Sequence, residues 1–465
     1  MNASTVDIVD RVSRAVRRTR PRSHANLPPG PSMPATVQLG LWMMRPYPFL
    51  EHCRAQYGRT FTLSFPNVPR IVSFSDEGPI REIFTGPSDE LYAGVANRSL
   101  RPIVGDNSLL LLDGPRHLRE RRLLLPPFHG QRMQSYGRVM HEIASLAMDR
   151  WPVGHVFTMQ HEMQTITFDV ILRTIFGVDE GETLRSLRST LARLIDDVSP
   201  MTIIPLLQID LGPHSPWGKF VRGRAEVDRI LYRLIDERRR SGDEARDDIL
   251  SLMLQARYED GSAMTDVELR DELMTLLAAG HETSATQLSW AFHRVSTDDA
   301  IQDRAHAELD ALLAGGDQAA IPVTELPWID AIIKESLRVD SVVGAVGRVL
   351  QSPRTIGGID MPKGSLAAVS VYLTHRNPDT WNDPYRFDPS RFVDAKPSPY
   401  AYLPFGGGVR RCIGMAFAMY EMRIILATAL ARFRIRPAPG VTITPERRSV
   451  TVGPSRNMPI VVERR

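Results

Sequence analysis

The sequence predicts a mainly α protein with a minor β portion. Three observations lead there. Stretches with apolar residues at helical spacing dominate from about residue 110 to about 338. Short strand-like runs bounded by Gly and Pro flank them on either side. No internal repeat, low-complexity block or interdomain linker interrupts the chain. At 465 residues, with 43% hydrophobic and 24% charged, the chain has the make-up of an ordinary globular protein with a large core. A net charge of +3 is too small to argue for nucleic acid. Two cysteines, Cys53 and Cys412, make no disulfide framework and suit a reducing compartment, so a cytoplasmic location is expected. There is no zinc-type spacing, P-loop or dinucleotide fingerprint. No stretch approaches the ~18 apolar residues of a membrane span. The expected organisation is a basic tail over residues 1–30 and one domain over 31–465.

The elements follow in chain order. In the Arg-rich tail, Ile8, Val9, Val12 and Val16 share one helical face, a pattern that permits weak contact with an anionic membrane surface. It is not a signal peptide, because no apolar core follows the basic residues. Cys53 falls in a helical stretch and reads as a packing residue. "RTFTLSF" and "PRIVSFS" (59–65 and 69–75) read as a hairpin. A helix begins at "LDGPRHLRERRLLLPPF": Asp113 is placed to cap it, Pro115 suits its start and Pro126-Pro127 end it. His117 and Arg121 share a face there and could grip one anionic group, or form a solvated basic face.

The longest helix is expected over 266–295, roughly 45 Å at 1.5 Å per residue. Thr265 and Glu268 form its capping box. Its middle is unusual: Ala279, Gly280, His281, Glu282, Thr283 and Ser284 interrupt an apolar run with a weak helix former and a carboxylate. Two readings stand: a kink in which the Thr283 hydroxyl bonds back to the carbonyl four residues earlier, or a widened turn that offers a hydroxyl and an acid to something bound beside it. A further helix, "LPWIDAIIKESLRV", carries Glu335 and Arg338 at i, i+3. Residues 354–371 read as two strands about a Pro-Lys-Gly turn, and an irregular Pro- and Asp-rich run (375–392) follows.

That run leads to "PFGGGVRRCIG" (404–414). The residues after Gly414 keep a helical apolar period, so Cys412 lies at a helix N-terminus. The dipole and free N–H groups there favour a thiolate, as do Arg410 and Arg411. The glycines permit left-handed turns and close approach to a flat object. A structural cysteine, a nucleophile or a redox sensor would also satisfy these local features.

Together these motifs resemble the cytochrome P-450 family of haem-thiolate monooxygenases. Phe405, Gly408, Arg410, Cys412 and Gly414 fill every fixed place of Phe-x-x-Gly-x-Arg-x-Cys-x-Gly. Ala279, Gly280, Glu282, Thr283 and Ser284 match the long-helix signature, and Glu335 and Arg338 match Glu-x-x-Arg. "FDPSRF" resembles the meander, whose arginine, here Arg391, completes a triad with that pair. The resemblance spans about 30 to 465, with the motifs in the family's order. It implies the family's triangular helical domain with small sheets around a buried haem.

By that resemblance, Cys412 would be the axial ligand of the iron of haem b. Phe405, Gly408 and Gly414 would shape the loop, and Ala279 and Gly280 would lie against the cofactor. His117, Arg121, Arg348 and Arg410 would bind the propionates. Thr283 and Glu282 would relay protons for O2 activation. The substrate would be a hydrophobic small molecule such as a fatty acid, terpenoid or steroid, walled by residues 90–108, 200–212, 342–347 and 452–457. Electrons would come from a ferredoxin and its reductase, as for soluble bacterial members, with Arg116, Arg119, Arg122 and Arg411 as a basic docking face on a monomer. The rival readings are a haem-thiolate isomerase or peroxygenase and a non-catalytic haem sensor, neither of which has much use for the Glu282-Thr283 pair.

Overall fold

The computed structural model describes residues 27–128, 132–177, 182–197, 208–212, 214–242, 246–314, 323–448 and 451–465. The amphipathic face proposed over residues 8–16 and the apolar stretch 200–207 lie outside them. Seven helices position the site: α1 (Ala35–Met44), α2 (Glu77–Thr85), α3 (Gly114–Leu124), α4 (Met159–Phe176), α5 (Asp266–Ser296), α6 (Pro327–Val339) and α7 (Met415–Arg432).

The expected capping box forms at the start of α5. Thr265 Oγ1 accepts the Glu268 N–H while the Glu268 carboxylate accepts the Thr265 N–H. Helix α5 runs through the buried centre without a break at Gly280. A Cβ at Gly280 would lie 3.1 Å from Ile171 Cδ1, so the bare backbone lets α4 pack closely against α5. His281 Nε2 meets Gln164 O at 3.1 Å, and Thr167 donates to His281 O at 3.3 Å.

The hairpin forms as expected, with β1 (Thr60–Leu63) antiparallel to β2 (Ile71–Phe74). With β3 (Leu91–Tyr92), β4 (Val346–Leu350) and β5 (Leu366–Val369) it builds one sheet in the order β1-β2-β5-β4-β3. The pair β2–β5 is parallel and the other pairs are antiparallel. Residues 354–371 hold three strands rather than two. Ile359–Met361 turns back on Arg354–Ile356 through Gly357 and Gly358, both left-handed, before the Pro-Lys-Gly turn leads to β5. Gly357-Gly358 is a two-residue hairpin signal, but the strands on either side are three residues long, too short to show an alternating pattern.

Glu335 and Arg338 are both fully buried and paired through two bonds of 2.7 Å. Arg338 also donates to the carbonyls of His375, Pro384 and Arg386. Glu335 accepts the Asp388 N–H and faces Arg391 Nε at 3.4 Å. The i, i+3 pair is therefore the anchor of the irregular run, not a surface salt bridge. His375 extends the anchor. Its Nε2 accepts the Leu403 N–H, which places its proton on Nδ1, 3.1 Å from Arg338 O.

Burial lowers the pKa of His281, His293 and His306 to about 4 and of His375 to about 3. Each is neutral in the fold, whereas the unfolded chain binds protons from about pH 6.5 downward. The unfolded state thus gains protons first as pH falls, so stability is full above about 6.5 and is lost from there towards 4. Thermal unfolding followed from pH 7.5 to 4.5 should show a steep fall in melting temperature below pH 6.5. His306→Gln should flatten that fall.

Candidate haem-thiolate site

The cysteine loop is built from backbone bonds and forced close approaches. The Cys412 N–H donates to Phe405 O at 3.0 Å, and Gly406 N–H to Leu403 O at 3.0 Å. Gly406 and Gly408 have φ of 66° and 64°. A Cβ on Gly407 would lie 2.2 Å from the Phe84 ring, and one on Gly408 would lie 2.1 Å from Phe84 O. The last turn of α2 thus presses on the loop, and Phe84 is a site residue that sequence reasoning missed. The phenylalanine carries no motif; only the tertiary approach of α2 reveals it. Phe405 packs partly buried against the main core.

Cys412 precedes α7, and the Gly414 N–H bonds its sulfur. The expectation of a lowered thiol pKa is reversed in the protein alone. Cys412 keeps one side open to solvent, and the protein packed around its other sides pushes its thiol up. The Gly414 N–H, Arg121 and Arg411 oppose this without overcoming it. Desolvation of a thiolate outweighs one N–H and two partly screened charges. Coordination to a metal ion removes the proton outright.

The propionate candidates come together. His117 is buried, and its pKa is lowered to about 3 by burial and then by Arg410, Arg121 and Arg348. It is therefore neutral. Burial, with repulsion from Arg410, lowers Arg348 to about 10; burial, with repulsion from Arg121, lowers Arg410 to about 10 against the opposing pull of Asp113. Asp113 is the carboxylate paired with Arg410, at 2.6 Å. It does not cap α3 with its side chain. Its oxygens accept the N–H groups of Gly94 and Val95 instead, at 2.8 and 3.0 Å. Three guanidiniums against one carboxylate leave an excess of two positive charges. Haem carries two propionates, and Arg121 links the cluster to Cys412. The donor set fits the group.

On α5, Leu276, Ala279, Gly280 and Thr283 recur at i, i+3, i+4 and i+7. Ala279 is exposed and Leu276, Gly280 and Thr283 are half-buried, whereas their neighbours Thr275, Leu277, His281 and Ser284 are buried, so this stripe is an open face. Thr283 Oγ1 donates to Ala279 O at 2.6 Å, the back-bond expected of a kinked turn, but the helix remains continuous. Glu282 turns to α4, where Gln164 Nε2 donates to it at 3.3 Å, and it accepts from Thr286 at 3.4 Å. Parts of three expected substrate walls touch one another in pairs, and one of them touches α5 at Thr286. Val452 N–H donates to Val342 O, a Cβ on Gly453 would lie 3.2 Å from Thr286, and one on Gly347 would lie 3.7 Å from Ala96.

The basic docking face is largely neutralised. Arg119 pairs with Asp260, Arg122 with Glu259, and Arg116 lies 3.9 Å from Glu268. Arg411 is exposed. The acids sit some 140 residues away in sequence, so no local pattern announced them.

These features define a haem-thiolate protein, and the chain belongs to the cytochrome P450 family, whose profile matches residues 27–461. The chain is 38% identical over 444 residues to "Putative cytochrome P450 135B1" of Mycobacterium tuberculosis, covering 95% of this chain and 92% of the relative. It is 35% identical to "Putative cytochrome P450 138" of the same species, covering 88% and 90%. Among solved structures, retinoic-acid-bound cyanobacterial CYP120A1 superposes with a TM-score of 0.82 at 25% identity, covering 95% of this chain and all of that one. The cytochrome P450DA haem domain does so at 0.82 and 26%, covering 95% and 98%. The family's members are haem-thiolate oxidoreductases that use protoporphyrin IX haem.

Gly408→Ala combines a left-handed φ with a Cβ pressed on a backbone oxygen. The strain should cost about 1–3 kcal/mol or more. The purified variant should melt lower and hold less haem per chain than wild type, measured by pyridine haemochrome assay. Retention of haem and melting temperature would show that the loop relaxes without cost.

Proposed function

We propose that Cys412 is the axial ligand of haem b in a single catalytic domain over residues 31–465. In this reading the chain inserts one atom of O2 into a hydrophobic small molecule in the cytoplasm, with two electrons delivered singly by a ferredoxin and its reductase. The observation that carries the reading is the glycine-shaped loop that sets Cys412 just before α7, with Arg410 of the same loop paired to Asp113 in a cluster whose excess charge matches two propionates. Haem, when bound, supplies the iron at which O2 is reduced, and the thiolate favours O–O cleavage.

The chain's own residues do the rest. His117, Arg121, Arg348 and Arg410 hold the propionates, His117 as a neutral donor. The Gly414 N–H tunes the sulfur, and Phe405 and Gly408 hold the loop closed beneath it. Ala279 and Gly280 lie along the open stripe of α5. The Thr283 hydroxyl, its proton engaged by Ala279 O, keeps acceptor lone pairs for a water on that stripe. Glu282, between Gln164 and Thr286, carries protons to it.

The contacts among residues 90–108, 342–347 and 452–457, the last of which touches α5, support a pocket read mainly by shape. A fatty acid, terpenoid or steroid-like substrate suits it. The structural neighbour that binds retinoic acid, itself a hydrophobic molecule, agrees with this class. An acidic ferredoxin would meet Arg411 directly and exchange with Asp260 and Glu259 for Arg119 and Arg122. Those exposed pairs are weak and screened by salt.

Two measurements test the reading. The reduced CO complex should show the strongly red-shifted Soret band of thiolate ligation, and Cys412→His should abolish it. A histidine-type spectrum from the wild type would overturn the ligand.

Thr283→Ala should keep the fold and continue to consume electrons while product falls and hydrogen peroxide rises. Glu282→Gln should instead slow turnover. Unchanged coupling in Thr283→Ala would remove the hydroxyl from the relay, and conversion with neither O2 nor electrons would establish the isomerase reading.

A further inference from the structure

Three neighbouring side chains on α5 hold three consecutive residues of a distant loop. Asp271 Oδ2 accepts the Asn107 N–H and the Asn107 side-chain amide, both at 2.9 Å. The hydroxyls of Thr275 and Ser108 meet at 2.7 Å. Glu272 Oε1 accepts the Leu109 N–H at 2.7 Å. The loop is shaped for this approach: Gly105 has a φ of 88°, and a Cβ there would lie 2.1 Å from Asp271 Oδ1. Asp271, Glu272, Thr275, Ser108 and Leu109 are all buried. Glu272 lies on the line of Leu276, Ala279 and Thr283, so the loop closes the first end of the open stripe of α5.

The same loop holds Arg410 from its other side. Leu109 O accepts Arg410 Nη1 at 3.1 Å, Leu112 O accepts Nη2, and the Asp113 carboxylate pairs with Nη2 at 2.6 Å. Contacts to residues 109–113 thus set where the guanidinium points its other donors. The Leu109 peptide is the link: its N–H is fixed by Glu272, and its carbonyl fixes Arg410. Glu272 is a costly group with which to hold one N–H. It is fully buried, its Oε2 has no partner among the described residues, and Glu120, Asp271 and Glu268 add negative charge around it. Burial and those charges push its carboxyl well above the usual carboxylate range, so it serves as a neutral acceptor. A buried, half-satisfied acid is unfavourable for the fold alone and points to a role in what it orients.

We propose that Glu272 is a positioning residue for the cofactor seat: through the Leu109 peptide it holds Arg410 in the orientation from which that guanidinium grips a propionate. It acts through Leu109 and Arg410, not by contact with the cofactor. The proposal rests on the propionate role of Arg410. It joins the end of the expected wall 90–108 and the grip on the cofactor into one unit fastened to α5.

The full haem-loaded chain is mixed with excess apomyoglobin, and the rate of haem transfer is read from the Soret band. Glu272→Met fills similar space but cannot accept the N–H, and Glu272→Asp withdraws the acceptor by one methylene. Each should lose haem at least about tenfold faster than wild type. If the methionine variant does not fold, the aspartate variant carries the same comparison. Glu272→Gln keeps a neutral carbonyl acceptor and should stay within about twofold of wild type. In an Arg410→Gln background, which itself loses haem faster, neither Glu272→Met nor Glu272→Asp should add more than about twofold, because the group they displace is gone. A loss of fold stability alone would instead multiply the rate by the same factor in both backgrounds. The red-shifted CO band of the reduced wild type is the control, and its absence would overturn the haem-thiolate reading itself. With that band present, wild-type rates in the methionine and aspartate variants, fast loss from Glu272→Gln, or an undiminished effect in the Arg410→Gln background would each overturn the positioning role.

Discussion

A guanidinium with no exposed surface holds the rest of the site in place. Arg338 takes two oxygens of Glu335 and three carbonyls of the irregular run 375–392, so every donor it offers to that run is used. Removing one partner of such a buried pair costs roughly 3–5 kcal/mol, because the other is left charged and alone. From this anchor the chain runs through bonds that can be followed one by one. Arg338 O meets His375, His375 accepts the Leu403 N–H, Leu403 O accepts Gly406, and Phe405 O accepts Cys412. The cysteine's position is thus inherited from a salt bridge 74 residues earlier in the chain.

Around that cysteine the protein accepts an electrostatic imbalance. Burying His117 neutral while keeping Arg121, Arg348 and Arg410 near one another raises the energy of the protein alone, and Asp113 offsets only part of it. In the proposed reading an anionic cofactor would relieve this imbalance on binding. The same logic governs the thiol. The packed sides of the loop raise its thiol, and coordination to a metal ion would remove the proton.

Helix α5 reconciles two demands. Most of its faces are buried, so it must pack; its middle leaves one stripe half-open, with Thr283 on it. Gly280 meets the first demand by admitting Ile171, and Thr283 meets the second while its back-bond to Ala279 satisfies the hydroxyl proton. The back-bond and the proposed polar role, which sequence reasoning treats as alternatives, are compatible because a hydroxyl both donates and accepts.

What the sequence by itself determined was local or carried by motif. The Thr265–Glu268 box, the prolines that open α3 and α6, the hairpin 60–74 and the helix after Gly414 are legible because each depends on residues within a turn or two. The signature positions from Phe405 to Gly414 are legible for the same reason. Only tertiary structure decided that Asp113 serves Arg410 and two loop amides rather than its own helix, that Phe84 closes the cysteine loop, and that Asp260 and Glu259 occupy the arginines of α3. It also decided that Glu272 of α5 serves the N–H of Leu109, 163 residues away. In each case a charge, an amide or a ring has several partners of equal chemistry along the chain. Which one it meets depends on how distant segments pack, and no local pattern carries that information.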